Sequence, residues 1–119
     1  MRHIVPQSGE PALEFDGVIL ARASSEASYK RYWTELGLFK TEAGRYIVEI
    51  VGNTRVPGKL VVRAAAVCQT EHEMIEHLRR RDSASFSLLA LTLLERAAVQ
   101  DQAIADALDS LEAKRRQVD

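Results

Sequence analysis

Residues 32–51 read YWTELGLFKTEAGRYIVEIV, and how this stretch pairs with itself decides the fold. Its β-branched and aromatic residues predict strands from Tyr32 to Thr41 and from Arg45 to Val51. Glu42-Ala43-Gly44 joins them, with Gly44 suited to the left-handed position that closes a three-residue loop. Pairing Thr41 with Arg45 sets Phe39 opposite Ile47, Leu38 opposite Val48 and Leu36 opposite Ile50. One face of the hairpin then carries Leu36, Leu38, Val48 and Ile50. The other carries Glu35, Gly37, Phe39, Ile47, Glu49 and Val51, a mixed surface suited to partial cover by a neighbour.

Toward the N-terminus, Ala12–Phe15 and Val18–Ala21 flank Asp16-Gly17, a pair able to take the positive φ values of a two-residue hairpin turn. A first, short hairpin is expected there, followed by a loop over the small, polar residues Ala23 to Ser28. Toward the C-terminus, Gly52-Asn53 and Val56-Pro57-Gly58 mark a turn-rich connection. Leu60-Val61-Val62 opens a further strand running toward Cys68.

Beyond Cys68 the hydrophobic period changes from two to three and four. Thr70-Glu71-His72-Glu73 matches a capping box, with Met74, Ile75 and Leu78 as the stripe of the helix it starts. Arg79-Arg80-Arg81 complements the negative end of that helix dipole. Asp82-Ser83-Ala84-Ser85 is expected to break the helix and cap a second one from Phe86 to Val99. Asp101 is able to cap a third, carrying Ile104, Leu108 and Leu111, unless the second helix runs through.

Strands first and helices second predict an α+β fold: an antiparallel β-meander of about four or five strands, then two or three C-terminal helices packed on one face. Its 119 residues, 46% hydrophobic and 28% charged, supply one core and are expected to form a single domain, mainly β over 1–69 and mainly α over 70–119. Sixteen Lys and Arg against seventeen Asp and Glu give a net charge of -1, which opposes whole-surface attraction to nucleic acid or anionic membrane. Residues 1–69 hold a small cationic excess and residues 70–119 an anionic one. The single cysteine excludes an internal disulfide and suits a reducing compartment. Neither a secretory leader nor a membrane span is legible, so a cytoplasmic protein is expected.

Catalytic patterns are weak. His72 and His77 are five apart, about 140° around a helix, whereas a zinc-protease helix needs two histidines four apart on one face. Cys68 lies in the apolar run Ala64–Cys68, where a thiol behaves as a small hydrophobe. The sequence holds no Gly-x-Ser-x-Gly elbow, phosphate-cradling glycine loop or Cys-x-x-Cys pair. The expectation is therefore no catalytic residue, no metal and no cofactor.

Two features point to binding. Tyr29-Lys30-Arg31-Tyr32-Trp33 interleaves aromatics with cations, the chemistry that holds single-stranded nucleic acid by stacking and phosphate contact. With Arg45, Arg55, Lys59 and Arg63 it defines a candidate nucleic-acid surface on the sheet. The second feature is the oily helix. Phe86, Leu88, Leu89, Leu91, Leu93 and Leu94 are apolar almost all round and, with Ile104, Leu108 and Leu111, form a candidate partner surface suited to a homodimer. The leading functional expectation is a non-enzymatic protein-interaction module, a small regulator, adaptor or inhibitor acting through a protein contact. A nucleic-acid-binding module on the basic and aromatic sheet is the alternative, and no membrane partner is expected.

Overall fold

The computed structural model describes residues 1–81 and 87–116. Five strands form one antiparallel sheet in sequence order: β1 (Arg2–Gln7), β2 (Glu10–Ser24), β3 (Tyr32–Thr41), β4 (Tyr46–Thr54) and β5 (Val62–Cys68). Three helices follow, α1 (Glu71–Arg81), α2 (Leu88–Ala98) and α3 (Gln102–Arg116), completing the expected α+β order. Among the described residues, no helix is long and apolar enough to cross a membrane.

The β3–β4 hairpin has the register read from the sequence, with Phe39 opposite Ile47, Leu38 opposite Val48 and Leu36 opposite Ile50. The loop closes with Gly44 at φ 86°. Leu36, Leu38, Val48 and Ile50 lie in the main core with Met74, Ile75 and Leu78 of α1, Leu93 and Leu94 of α2 and Ile104 of α3. Each such leucine or isoleucine contributes about 1.5–3 kcal/mol by leaving water.

The opposite face is covered too. Val5, Phe39 and Ile47 form a second core with Leu13, Phe15 and Ala65, because β1 and the first half of β2 fold back over the sheet. Covering on both faces explains why β4 is buried continuously from Tyr46 to Val51. The ribbon tip reaches the last strand: the Ser8 N–H donates to the Arg63 carbonyl at 2.9 Å, and the Arg63 N–H to Ser8 Oγ at 2.8 Å.

That ribbon corrects the first expected hairpin. Asp16-Gly17 is no turn; it lies inside β2, where the strand changes partner. Asp16 pairs with Arg2 of β1, and Gly17 with Thr41 of β3. A Cβ at Gly17 would lie 2.2 Å from the Lys40 carbonyl oxygen, so glycine is required for close backbone approach rather than for positive φ. The real turn is at Ser8-Gly9, where Gly9 has φ 75°, and the expected loop over Ala23 to Ser28 begins only after β2 ends at Ser24.

The helix starts are capped by side chains. Thr70 Oγ1 accepts the Glu73 N–H at 3.2 Å, while Glu73 Oε2 accepts the N–H of Gln69. The cap of α2 is Ser87, whose Oγ accepts the Ala90 N–H at 3.1 Å, two residues past the expected capping segment; Asp82–Ser85 lies outside the described residues. Val99 and Gln100 separate α2 from α3, and Asp101 Oδ1 caps α3 through the Ile104 N–H at 3.1 Å.

A candidate interaction surface at the open end of the sheet

At one end of the sheet, Tyr32 pairs with Thr54 and Trp33 with Asn53, and the Arg55 N–H donates to the Arg31 carbonyl at 2.9 Å. These contacts bring the β2–β3 connection, the start of β3 and the β4–β5 connection together. Of the candidate nucleic-acid residues, Tyr29, Lys30, Arg31, Tyr32, Trp33, Arg55 and Lys59 gather here. Two do not. Arg45 precedes β4 at the far end, about 27 Å away at ~3.3 Å per residue, and donates to Gln69 Oε1 at 2.9 Å. Arg63 lies on β5 opposite Val51, its backbone held by Ser8. The single basic sheet surface expected from the sequence is therefore divided, because the hairpin register spaces its cations along β4 and β5.

Neither Tyr29 nor Tyr32 is core. Tyr29 is 83% exposed and Tyr32 58%. Trp33 is partly buried, with the Arg55 guanidinium 4.3 Å above its ring. Arg55 ties the connection together, donating to the carbonyls of Ala27 at 3.1 Å and Lys30 at 2.6 Å and pairing with Glu26 at 2.8 Å. Lys30 Nζ donates to the Ser25 carbonyl at 2.8 Å. The side chains of Arg31 and Lys59 are exposed and engage no hydrogen-bond or ion-pair partner among the described residues.

Beside this cluster is a groove of about 480 Å³, lined in part by Tyr32, Trp33, Gly52, Lys59, Leu60 and Val62. Gly52 pairs with Val62 and leaves its floor without a side chain. Leu60 is 86% exposed and Val62 59%, so with Tyr32 they form an apolar wall open to water. Trp33 Nε1 is the one buried side-chain polar atom without a partner among the described residues. The hydrophobic run Leu60-Val61-Val62 predicts a strand from Leu60, but β5 begins at Val62 and leaves Leu60 in the exposed connection before it.

The oily helix is placed differently. Leu93, Leu94 and Ile104 have no exposed surface, and Leu89, Leu108 and Leu111 are partly buried against the same core. Leu91 is half-buried, and Leu88 alone of these stands out, 82% exposed. Leu93, Leu94 and Ile104 are thus covered within the chain, because α2 packs on β2 and β3 with α3 at its flank. Phe86 lies outside the described residues.

His72 is exposed and His77 half-buried. No group of three or more His, Cys, Asp or Glu able to hold a metal occurs among the described residues. Cys68 is 4% exposed, and burial, then the Glu73 carboxylate, pushes its thiol pKa up, favouring the unreactive protonated form. The most buried ionic group among the described residues is Asp101, whose carboxylate joins sheet to helix: Oδ2 accepts from Lys40 Nζ at 3.0 Å and from the Tyr46 hydroxyl at 2.8 Å. Burial would raise its pKa, but the hydrogen bonds from Lys40, Tyr46 and the Ile104 N–H together outweigh it and lower the value. All these partners lie within the fold, which makes the group a fastening rather than a site. Comparison with known proteins finds no match: no family model, no curated protein and no solved structure is similar to this chain.

Proposed function

We propose that this chain is a non-enzymatic protein-interaction module, a small regulator, adaptor or inhibitor, whose contact surface is the open end of the sheet. The observation that carries this reading is the water-exposed apolar wall of Tyr32, Leu60 and Val62 in a groove also lined by Trp33, over whose ring Arg55 lies. Contact centres are rich in tyrosine, tryptophan and arginine, and an apolar patch rimmed by polar groups marks an interaction surface. Burial takes Leu93 and Leu94 out of any homodimer contact through α2, while Leu88 stays exposed. The lone buried thiol suits the reducing cytoplasm.

A nucleic-acid module is the second reading, favoured by the exposure of Tyr29 and Tyr32 beside Arg31 and Lys59. It is weaker because Lys30 and Arg55 are engaged within the fold, leaving few cations to follow a phosphate backbone.

Affinity isolation from the source cells with the unmodified chain and with Tyr32→Ala plus Leu60→Ser tests both. A stoichiometric protein retained by the first and lost with the second is expected. Retention of nucleic acid released by moderate salt replaces this reading with the second; a partner indifferent to the substitutions removes the open end from it.

A further inference from the structure

We infer that the groove beside Tyr32 takes a bulky apolar side chain from a partner segment whose flanking residues are acidic. This rests on the reading of the open end as a contact surface. The receptor is an open volume of about 480 Å³ with an apolar wall, Tyr32, Leu60 and Val62, and a floor that Gly52 leaves bare. An aliphatic or aromatic side chain lying there would remove both its own surface and that wall from water.

Charge identifies what surrounds that side chain. Lys59 lines the groove, and Arg31 immediately precedes Tyr32 in the chain. Both are exposed cations without an internal partner among the described residues. Of the nearby carboxylates, Glu26 pairs with Arg55, while Glu35 accepts from the neutral Asn53 amide at 3.2 Å and keeps its charge. Lys30, Arg31, Arg55 and Lys59 outnumber Glu26 and Glu35 at this end of the sheet, and the net positive charge attracts carboxylates and repels a basic segment. The chain's own Arg79-Arg80-Arg81 and Lys114-Arg115-Arg116 runs carry the wrong sign for this end, so a second copy offering either is disfavoured. Two unengaged cations suit a short acidic flank better than a phosphate backbone.

The chain's single tryptophan, Trp33, provides the readout, since its indole N–H gives one resonance in a nitrogen–proton correlation spectrum of the full chain. The probes are a synthetic Asp-Glu-Leu-Phe-Glu-Asp peptide, the same peptide with lysine for each acid, one with alanine for Leu-Phe, and an oligouridylate. The acidic apolar peptide should move the Trp33, Leu60 and Val62 resonances saturably, with the lysine and alanine versions at least about tenfold weaker. Gly52→Val should fill the groove, since a Cβ there meets nothing closer than 3.8 Å. Lys59→Glu should cancel the positive excess, and each variant should weaken the acidic peptide about tenfold while leaving the helix resonances in place.

No saturable shift, equal binding of the lysine peptide, unchanged binding by Lys59→Glu, or preferential binding of oligouridylate overturns the inference. Should Gly52→Val fail to fold, the surface variant Lys59→Glu still decides. A cellular partner lost with Tyr32→Ala plus Leu60→Ser, combined with no peptide binding, refutes the acidic occupant and leaves the module reading standing. Failure of both experiments refutes both.

Discussion

The Tyr46 hydroxyl donates to Asp101 Oδ2 at 2.8 Å, joining the first residue of β4 to the N-cap of α3. The same oxygen accepts from Lys40 Nζ, while Oδ1 caps the helix through Ile104. One side chain, 2% exposed, therefore fixes how the last helix sits on the sheet.

Asp101→Ala should lower stability by about 2–3 kcal/mol, combining a lost cap with a buried Tyr46 hydroxyl left without its acceptor. Urea denaturation followed by circular dichroism measures it. Asp101→Asn, which keeps an acceptor oxygen, should cost less; equal costs would mean that the cap and hydrogen bonds contribute nothing separable from the charge.

The same cluster sets a pH profile. Asp101 has a lowered pKa when folded, so its contribution is present above the unfolded value of about 3.9 and is lost as pH falls through the lowered folded value. Lys40 is raised, chiefly by the Asp101 hydrogen bond, and Tyr46 is raised by burial and then by Asp101. Their contributions are present below about pH 10 and are lost as pH rises through the raised values. Urea midpoints across pH should fall at both extremes, and Asp101→Asn should flatten both limbs. An unchanged acid limb in that variant would assign acid sensitivity to other carboxylates.

Gly17→Ala tests the partner exchange in β2. The new methyl would approach the Lys40 carbonyl oxygen and the Thr41 Cα, both backbone, so the two strands must separate. A loss on the order of 2–4 kcal/mol is expected, larger than the roughly 1 kcal/mol for Gly9→Ala at its positive-φ turn. Paired thermal melts of the two variants compare them; a milder effect at Gly17 would contradict the crowding.

What was legible in the sequence was what depends on local period and local chemistry. Leu36, Leu38, Val48 and Ile50 announce the buried face through simple alternation, and Thr70 with Glu73 announces α1 through capping chemistry. Asp16-Gly17 misleads because the same dipeptide serves a tight turn and a crowded strand crossing, and only the distant Lys40 carbonyl distinguishes them. The candidate site was half legible for a similar reason. The residues from Tyr29 to Trp33 are adjacent in sequence, whereas Gly52, Leu60 and Val62 join them through strand pairing. Their exposure is a tertiary fact with no periodic signature.

The oily helix gives the last prediction, in which one substitution has opposite signs at two positions of α2. Leu93 has no exposed surface and faces the core, so Leu93→Glu would bury an unpaired carboxylate at a cost of several kcal/mol and unfold the chain. Leu88 is 82% exposed and is the first residue of α2, whose first turn carries no acid. A glutamate there meets the positive end of the helix dipole beside the Ser87 cap, so Leu88→Glu should stabilise by about 0.3–1 kcal/mol. Thermal melting with light scattering on both variants checks the pair. If Leu88→Glu instead turns a scattering dimer into a monomer, the exposed start of α2 is a contact between copies, and the open end of the sheet is not the chain's principal interface.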